Sequence, residues 1–233
     1  MKGKKHYDFE AGETIGIDKP KEWTSFDVVK KVRNTIRIKK VGHAGTLDPL
    51  ATGLLIICTG KATKTINQIQ EQRKKYTCTL VLGKTTPSVD LETAFDSETD
   101  TSHLSSEQVA GVLDTFQGVI QQVPPIYSAI KVDGKRAYES ARKNETLELK
   151  AREVTIYSLQ MLRINLPEVE FVVECSKGTY IRSLVRDMGE KLGVGAYMSA
   201  LRRNSIGDYQ VEDAFTIEEF TSIFTSKPGN ESS

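Results

Sequence analysis

Strand-like and helical periodicities follow one another along this chain in no regular order, and that narrows its fold more than any total does. Residues 74–83 (KKYTCTLVLG) alternate, with Tyr76, Cys78, Leu80 and Leu82 on one face, which predicts a strand. Ser105 and Gln108 form a capping box ahead of Val109, Val112, Leu113 and Phe116 at helical spacing. Strands are expected over about 153–164 and 168–175. A strong amphipathic helix then begins near Thr179, carries Ile181, Leu184, Val185, Met188 and Leu192 on one face, and closes at Gly193. Upstream, 13–18 is strand-like, and Ser25 caps a helix bearing Val28, Val29, Val32 and Ile36. Residues 38–53 are a loop, LLIIC (54–58) is a buried strand, and a short helix follows from about Lys61. Residues 126–132 run into the hairpin signal Asp133-Gly134, although the next stretch, RAYESARK, has a helical pattern. Without βαβ alternation, the pattern predicts an α+β protein with a mixed, mostly antiparallel central sheet flanked by helices and loops.

A chain of 233 residues, 38% of them hydrophobic, is long enough to bury a core. No apolar run reaches membrane-spanning length and no leader pattern opens the chain, so a cytoplasmic protein is expected. Cys58, Cys78 and Cys175 stand far apart and read as buried thiols, and His6, His43 and His103 are too scattered for a metal site. No cofactor or metal is expected. Although the net charge is only +1, residues 19–40 hold eight Lys or Arg against two acids, whereas 87–114 hold seven acids and no Lys or Arg. Such a separation fits an ordinary solvated face and also a basic face for a polyanion.

Chemistry is most concentrated in residues 42–53, where three glycines, a histidine and Asp48-Pro49 precede an apolar strand. Asp before Pro starts turns and glycine supplies positive φ, so a structural turn accounts for much of the segment. Equally, a carboxylate on a rigid loop backed by small residues suits a site. Composition leaves both open.

Four blocks carry a wider likeness: IDKPKEWTSFDVV (17–29), VGHAGTLDPLATGLL (41–55), PPIYSAIKVDGKRAYESAR (124–142) and CSKGTYIRSLVRDMGEKLG (175–193). In this order they resemble the TruB family of tRNA pseudouridine synthases, the likeness covering most of residues 13–203. The resemblance implies a pseudouridine synthase fold and an isomerase that converts uridine 55 in the T arm of tRNA to pseudouridine, with no cofactor. It implies Asp48 as the nucleophile, Arg182 as its cationic partner, and Tyr76 as the residue stacking on the uracil and assisting proton transfer. Tyr180 and Leu201 are expected to line the base site, and His43 to help hold the flipped-out loop. From the residues alone, Tyr76 reads as a half-buried strand tyrosine, and a plain core role for Leu201 stays open. Phosphate contacts are expected from the basic stretch, including Lys19, Lys30, Lys31 and Arg33, and from Lys131, Arg136 and Arg142.

Two departures from the family pattern stand out. Members commonly carry Thr-Asp-Thr after the strand containing Tyr76, whereas this chain reads GKTTPSVDLE (83–92), with Asp90 keeping one acidic position. Many relatives also add a small C-terminal RNA-binding domain that is not expected here. The expected organisation is a flexible tail over 1–11, a catalytic domain over 12–225 and a disordered tail over 226–233. A monomer is expected, with no guide RNA, obligate protein partner or membrane. The competing readings are a non-catalytic tRNA-binding or folding factor on the same fold, and a metal-dependent hydrolase using Asp90, Glu92 and Asp96.

Overall fold

A computed structural model describes residues 6–128, 131–132, 135–136 and 149–225, the two short pairs as backbone only. The span expected to be one catalytic domain is organised as two compact units, residues 1–74 with 202–233 and residues 75–201.

The first unit opens with β1 (Thr14–Lys19), α1 (Ser25–Ile36), β2 (Val41–Ala44) and β3 (Thr52–Thr59), then a 3-10 turn over Gly60–Thr65 and α2 (Ile66–Glu71). Both β1 and β2 pair antiparallel with β3, with Ile17 opposite Leu55 and His43 opposite Ile57. The run LLIIC is apolar throughout because β3 is covered on both faces. Leu55 and Ile57 pack with Val28, Val29 and Val32 of α1, while Leu54, Ile56 and Cys58 pack with Ile69 of α2. Each such side chain removed from water contributes roughly 1.5–3 kcal/mol.

Two expectations shift here. Residues 41–44, read as loop, are a strand, since pairing with β3 supplies what their polar, glycine-containing sequence does not. Helix α1 is capped by Thr24 in a reciprocal box with Asp27, which leaves the Ser25 hydroxyl for another task.

The second unit contains β4 (Lys74–Leu82), β5 (Lys84–Thr85), β6 (Ser97–Glu98), α3 (Ser106–Asp114), β7 (Gly118–Gln122), β8 (Lys131–Val132), β9 (Lys135–Arg136), β10 (Arg152–Asn165), β11 (Glu168–Cys175), α4 (Ile181–Lys191) and the first part of β12 (Ala196–Ile206). Its main strands lie in the order β12-β4-β11-β10-β7, with β10 antiparallel to both β11 and β7. The alternation of β4 is realised, Tyr76, Cys78, Leu80 and Leu82 being buried. Ser105 caps α3 in the expected box with Gln108. Gly193, at φ +75°, ends α4: its N–H donates to Glu190 O at 3.0 Å and that of Val194 to Gly189 O at 3.2 Å, a paired closure that needs a left-handed residue. The Asp133-Gly134 signal joins β8 to β9, Val132 pairing with Lys135, though both turn residues lie outside the described residues. The helical pattern beyond Arg136, the side chains of Lys131 and Arg136, and all of Arg142 also lie outside them.

The last part of β12 returns to the first unit. Arg202 and Arg203 pair parallel with Thr52 and Gly53, which makes the sheet mixed, and β13 (Tyr209–Gln210) pairs back onto β12. Helix α5 (Ile217–Phe224) adds Phe220 and Phe224 to an aromatic cluster with Phe215. Tyr7 and Phe9 stack on each other and meet Phe224 edge-on at 5.1 and 5.0 Å, so the segment expected to fray is packed from Tyr7 onward. The tail over 226–233 lies outside the described residues. The three cysteines are buried free thiols, as expected. Among the described residues no helix is long and apolar enough to cross a membrane.

Candidate active site

Asp48 sits half-buried in the connection from β2 to β3, where the Ala51 N–H donates to its carbonyl at 3.1 Å and closes a turn. This connection is tied down on several sides within the first unit. Ser25 binds Leu47 reciprocally: the Leu47 N–H donates to its hydroxyl at 2.9 Å and the hydroxyl donates to Leu47 O at 3.2 Å. Lys19, the last residue of β1, falls on the buried side with Ile15 and Ile17. Its Nζ donates to the carbonyls of Trp23 (2.6 Å), Pro20 (3.0 Å) and Pro49 (3.1 Å), so all three ammonium donors are used. From β12, Arg203 donates through Nε to Leu54 O (2.7 Å), through Nη2 to Gly45 O (3.0 Å) and through Nη1 to Thr46 O (3.4 Å). Gly53, at φ +98°, is required where β12 passes, because a Cβ there would lie 2.3 Å from Arg203 O.

Lys19 is therefore not the phosphate contact its place in the basic stretch suggested. Its side chain is 0% exposed and spent on carbonyls, out of reach of any polyanion. Burial pulls its pKa down to about 8; the negative charge of Asp48 opposes this, the positive charge of Arg203 adds to it, and Asp27 opposes it further. His43, on β2, is half-buried with Nδ1 lacking a partner. Burial, then Arg203, lowers its pKa against the pull of the Gly45 backbone, which favours the neutral imidazole.

In the second unit, Arg182 lies in the first turn of α4 and is 4% exposed. Its Nη2 donates to Tyr127 O at 2.8 Å and its Nη1 to Ser88 O at 3.1 Å, with Asp90 Oδ2 at 3.6 Å. The loop supplying Ser88 and Asp90 is tightly folded: Val89 has φ +62°, costly for a β-branched residue, and its carbonyl accepts from the Met198 N–H. Tyr180 precedes α4 as its N-cap and is held by the buried amide of Gln122, which accepts from the Tyr180 N–H (2.8 Å) and donates to Tyr180 O (3.1 Å). The Arg152 guanidinium covers the Tyr180 ring at 4.7 Å from its centroid and donates to Gly178 O. Tyr76 is buried on β4, and Leu201 is half-buried on β12.

Sequence reasoning thus missed Asp90 as the ion-pair partner of Arg182, Gln122 as the holder of Tyr180, and Arg203. The strand parity that buries Ile15 and Ile17 already pointed to a buried Lys19. The hydrolase trio does not converge: Asp90 is committed to Arg182, Asp96 accepts from the Thr85 hydroxyl, and no cluster of metal-ligating residues occurs among the described residues. On α1, Lys30 is exposed, while Lys31 and Arg33 are half-buried. Arg33 Nη2 reaches Val41 O at 3.4 Å.

Residues 33–181 match the family model for the N-terminal domain of TruB family pseudouridylate synthases, and 182–232 match that for the tRNA pseudouridylate synthase B C-terminal domain. The second match covers a stretch that the sequence reading placed largely within its single catalytic domain. The chain is 53% identical over 218 residues to the tRNA pseudouridine synthase B of Phocaeicola vulgatus, covering 91% of this chain and 93% of that protein. It is 49% identical over 216 residues to that of Flavobacterium johnsoniae, with 90% and 94% covered. Among solved structures, a Cbf5-Nop10-Gar1 complex matches with TM-score 0.71 at 29% identity, and an H/ACA RNP bound to a substrate RNA containing 2′-deoxyuridine with TM-score 0.70 at 27%. Each match covers 92% of this chain, which spans about half the length of those solved chains (54% and 53%).

Fold and relatives together define a pseudouridine synthase, an isomerase. The chain belongs to the TruB family, and the reaction its relatives support is pseudouridylation of tRNA.

Proposed function

We propose that this enzyme isomerises uridine 55 in the T arm of tRNA, with Asp48 as nucleophile acting on a base taken out of its stack. The observation that carries the reading is the tied connection that presents Asp48, a loop whose main chain is held by Lys19, Ser25 and Arg203. In the reaction the bond from N1 to C1′ breaks, the uracil turns in place, and a bond from C5 to C1′ forms. The proton on C5 leaves and N1 gains one, so the product is an isomer. Asp48 supplies the transient covalent bond. Arg182, anchored by Asp90 and two carbonyls, acts with it as the charge partner. Tyr76 stacks on the uracil and assists proton transfer, while Tyr180 and Leu201 form walls that exclude water. Unstacking the base costs a few kcal/mol. A neutral His43 suits the space it vacates, since an uncharged ring stacks without a desolvation penalty. The exposed Lys30 and the half-buried Lys31 and Arg33 contribute to the phosphate face.

The test compares the protein and Asp48→Asn on unmodified T-arm RNA, scoring pseudouridine by chemical derivatisation because mass does not change. Product at position 55 from the first and none from Asp48→Asn, at equal RNA affinity, is expected. Equal product from both would refute Asp48 as nucleophile. Binding without product from either would point to a folding factor instead.

A further inference from the structure

We propose that Arg203 is a positioning residue for this reaction, its guanidinium tying together the chain segments that precede and follow Asp48 so that the carboxylate is presented in one place. The proposal rests on Asp48 being the reacting group and adds a residue that acts through it. Gly45 and Thr46 lie before Asp48, and Leu54 lies after it; the three nitrogens of Arg203 reach one carbonyl on each. A planar fork with fixed donor directions is needed to span two segments at once, and a lysine ammonium, a point charge on a flexible stem, cannot reproduce it.

Three further observations give the tie its rigidity. Arg203 is 1% exposed, so its bonds meet no competition from water. Its own backbone is fixed by the parallel pairing of β12 with β3, opposite Gly53. The close approach at Gly53, where even a Cβ would meet the Arg203 backbone, leaves that pairing no room to slide. Lys19 holds Pro49 from β1, so the turn between Thr46 and Leu54 is gripped at both ends and once in the middle. The hydrogen bonds of the Arg203 guanidinium go to main-chain carbonyls of the loop, and its effect on the reaction passes through the path of the loop.

The test uses the full chain with Arg203→Lys, which keeps the charge and loses the fork, and Arg203→Met, which loses both. Single-turnover rates at saturating T-arm RNA are measured beside RNA affinity, and amide exchange is followed at Leu47 and Ala51. For Arg203→Lys the rate is expected to fall by roughly 10- to 100-fold, the usual cost of a displacement of about 1 Å at a reacting group. Affinity should stay within about twofold, and exchange in the loop should accelerate while that of β10 and β11 does not. Arg203→Met should be no faster than Arg203→Lys. A wild-type rate in Arg203→Lys, a loss confined to affinity, or unchanged loop exchange would each overturn the proposal. So would an unfolded Arg203→Lys protein, which would make the residue a determinant of the fold. If the unaltered protein forms no pseudouridine, the proposed function fails by itself, and the exchange measurement still decides whether the tie exists.

Discussion

Replacing Gln122 by leucine removes an amide whose only described task is to hold the backbone of Tyr180. Gln122 ends β7 with 0% exposure, and it both accepts from the Tyr180 N–H at 2.8 Å and donates to Tyr180 O at 3.1 Å. The two bonds are not equivalent when lost. Tyr180 O also accepts from the Leu184 N–H at 3.1 Å, so the carbonyl keeps a partner. The Tyr180 N–H, at a helix start, would be left without one, and an unsatisfied buried donor costs about 1–3 kcal/mol. Leucine fills nearly the same volume, so a cavity adds little. Gln122→Leu is therefore expected to cost about 2 kcal/mol, which in a chain of this size lowers Tm by roughly 4–8 °C. Gln122→Glu separates the two bonds: the acceptor survives, but a carboxylate then faces Tyr180 O. The introduced carboxyl is driven to stay protonated in the folded state, so this variant should regain stability relative to the unaltered protein as pH falls. Thermal unfolding across acidic and neutral pH measures both. A Tm drop below about 1 °C for Gln122→Leu would refute the reasoning, since it would mean the amide is replaceable by any apolar filler.

Two further outcomes follow from charges already described. Because Lys19 has a folded-state pKa of about 8 against an ordinary 10.5, the unfolded chain binds more protons between those values, and stability should rise with pH through that window. The shift corresponds to at most about 3 kcal/mol, and Lys19→Met should flatten the rise in urea midpoints measured at about pH 7.5 and 10. On α1, Lys30→Glu combined with Lys31→Glu should weaken tRNA binding and make its dependence on log salt shallower by about 1 to 2, read by titration at several salt concentrations. An unchanged slope would place the phosphate face elsewhere.

The elements legible in the sequence are those whose signal is local. The alternation of Tyr76, Cys78, Leu80 and Leu82, the box of Ser105 with Gln108, and the closure at Gly193 each arise from neighbouring residues, and each is realised. What stayed hidden depends on distant partners. Strand β2 exists through its pairing with β3, and Thr24 takes the cap because Ser25 is drawn to Leu47, 22 residues away. A charge census could not separate Lys30, which is exposed, from Lys19, which is buried among carbonyls. Parity along β1 could have. Asp90 and Gln122 lie 92 and 58 residues from the groups they serve, Arg182 and Tyr180, and no spacing in a single sequence announces such pairs.

Lys19 and Arg203 both hold the Asp48 loop through main-chain oxygens, those of Pro49, Gly45, Thr46 and Leu54. Every residue type offers the same oxygen, so the anchorage is indifferent to most changes in the loop's own letters. The path of the loop and the chemistry of its surface can then vary independently over evolutionary time. Side chains beside Asp48 are free to be retuned for a different RNA contour, while the two cations beneath continue to specify where the carboxylate stands.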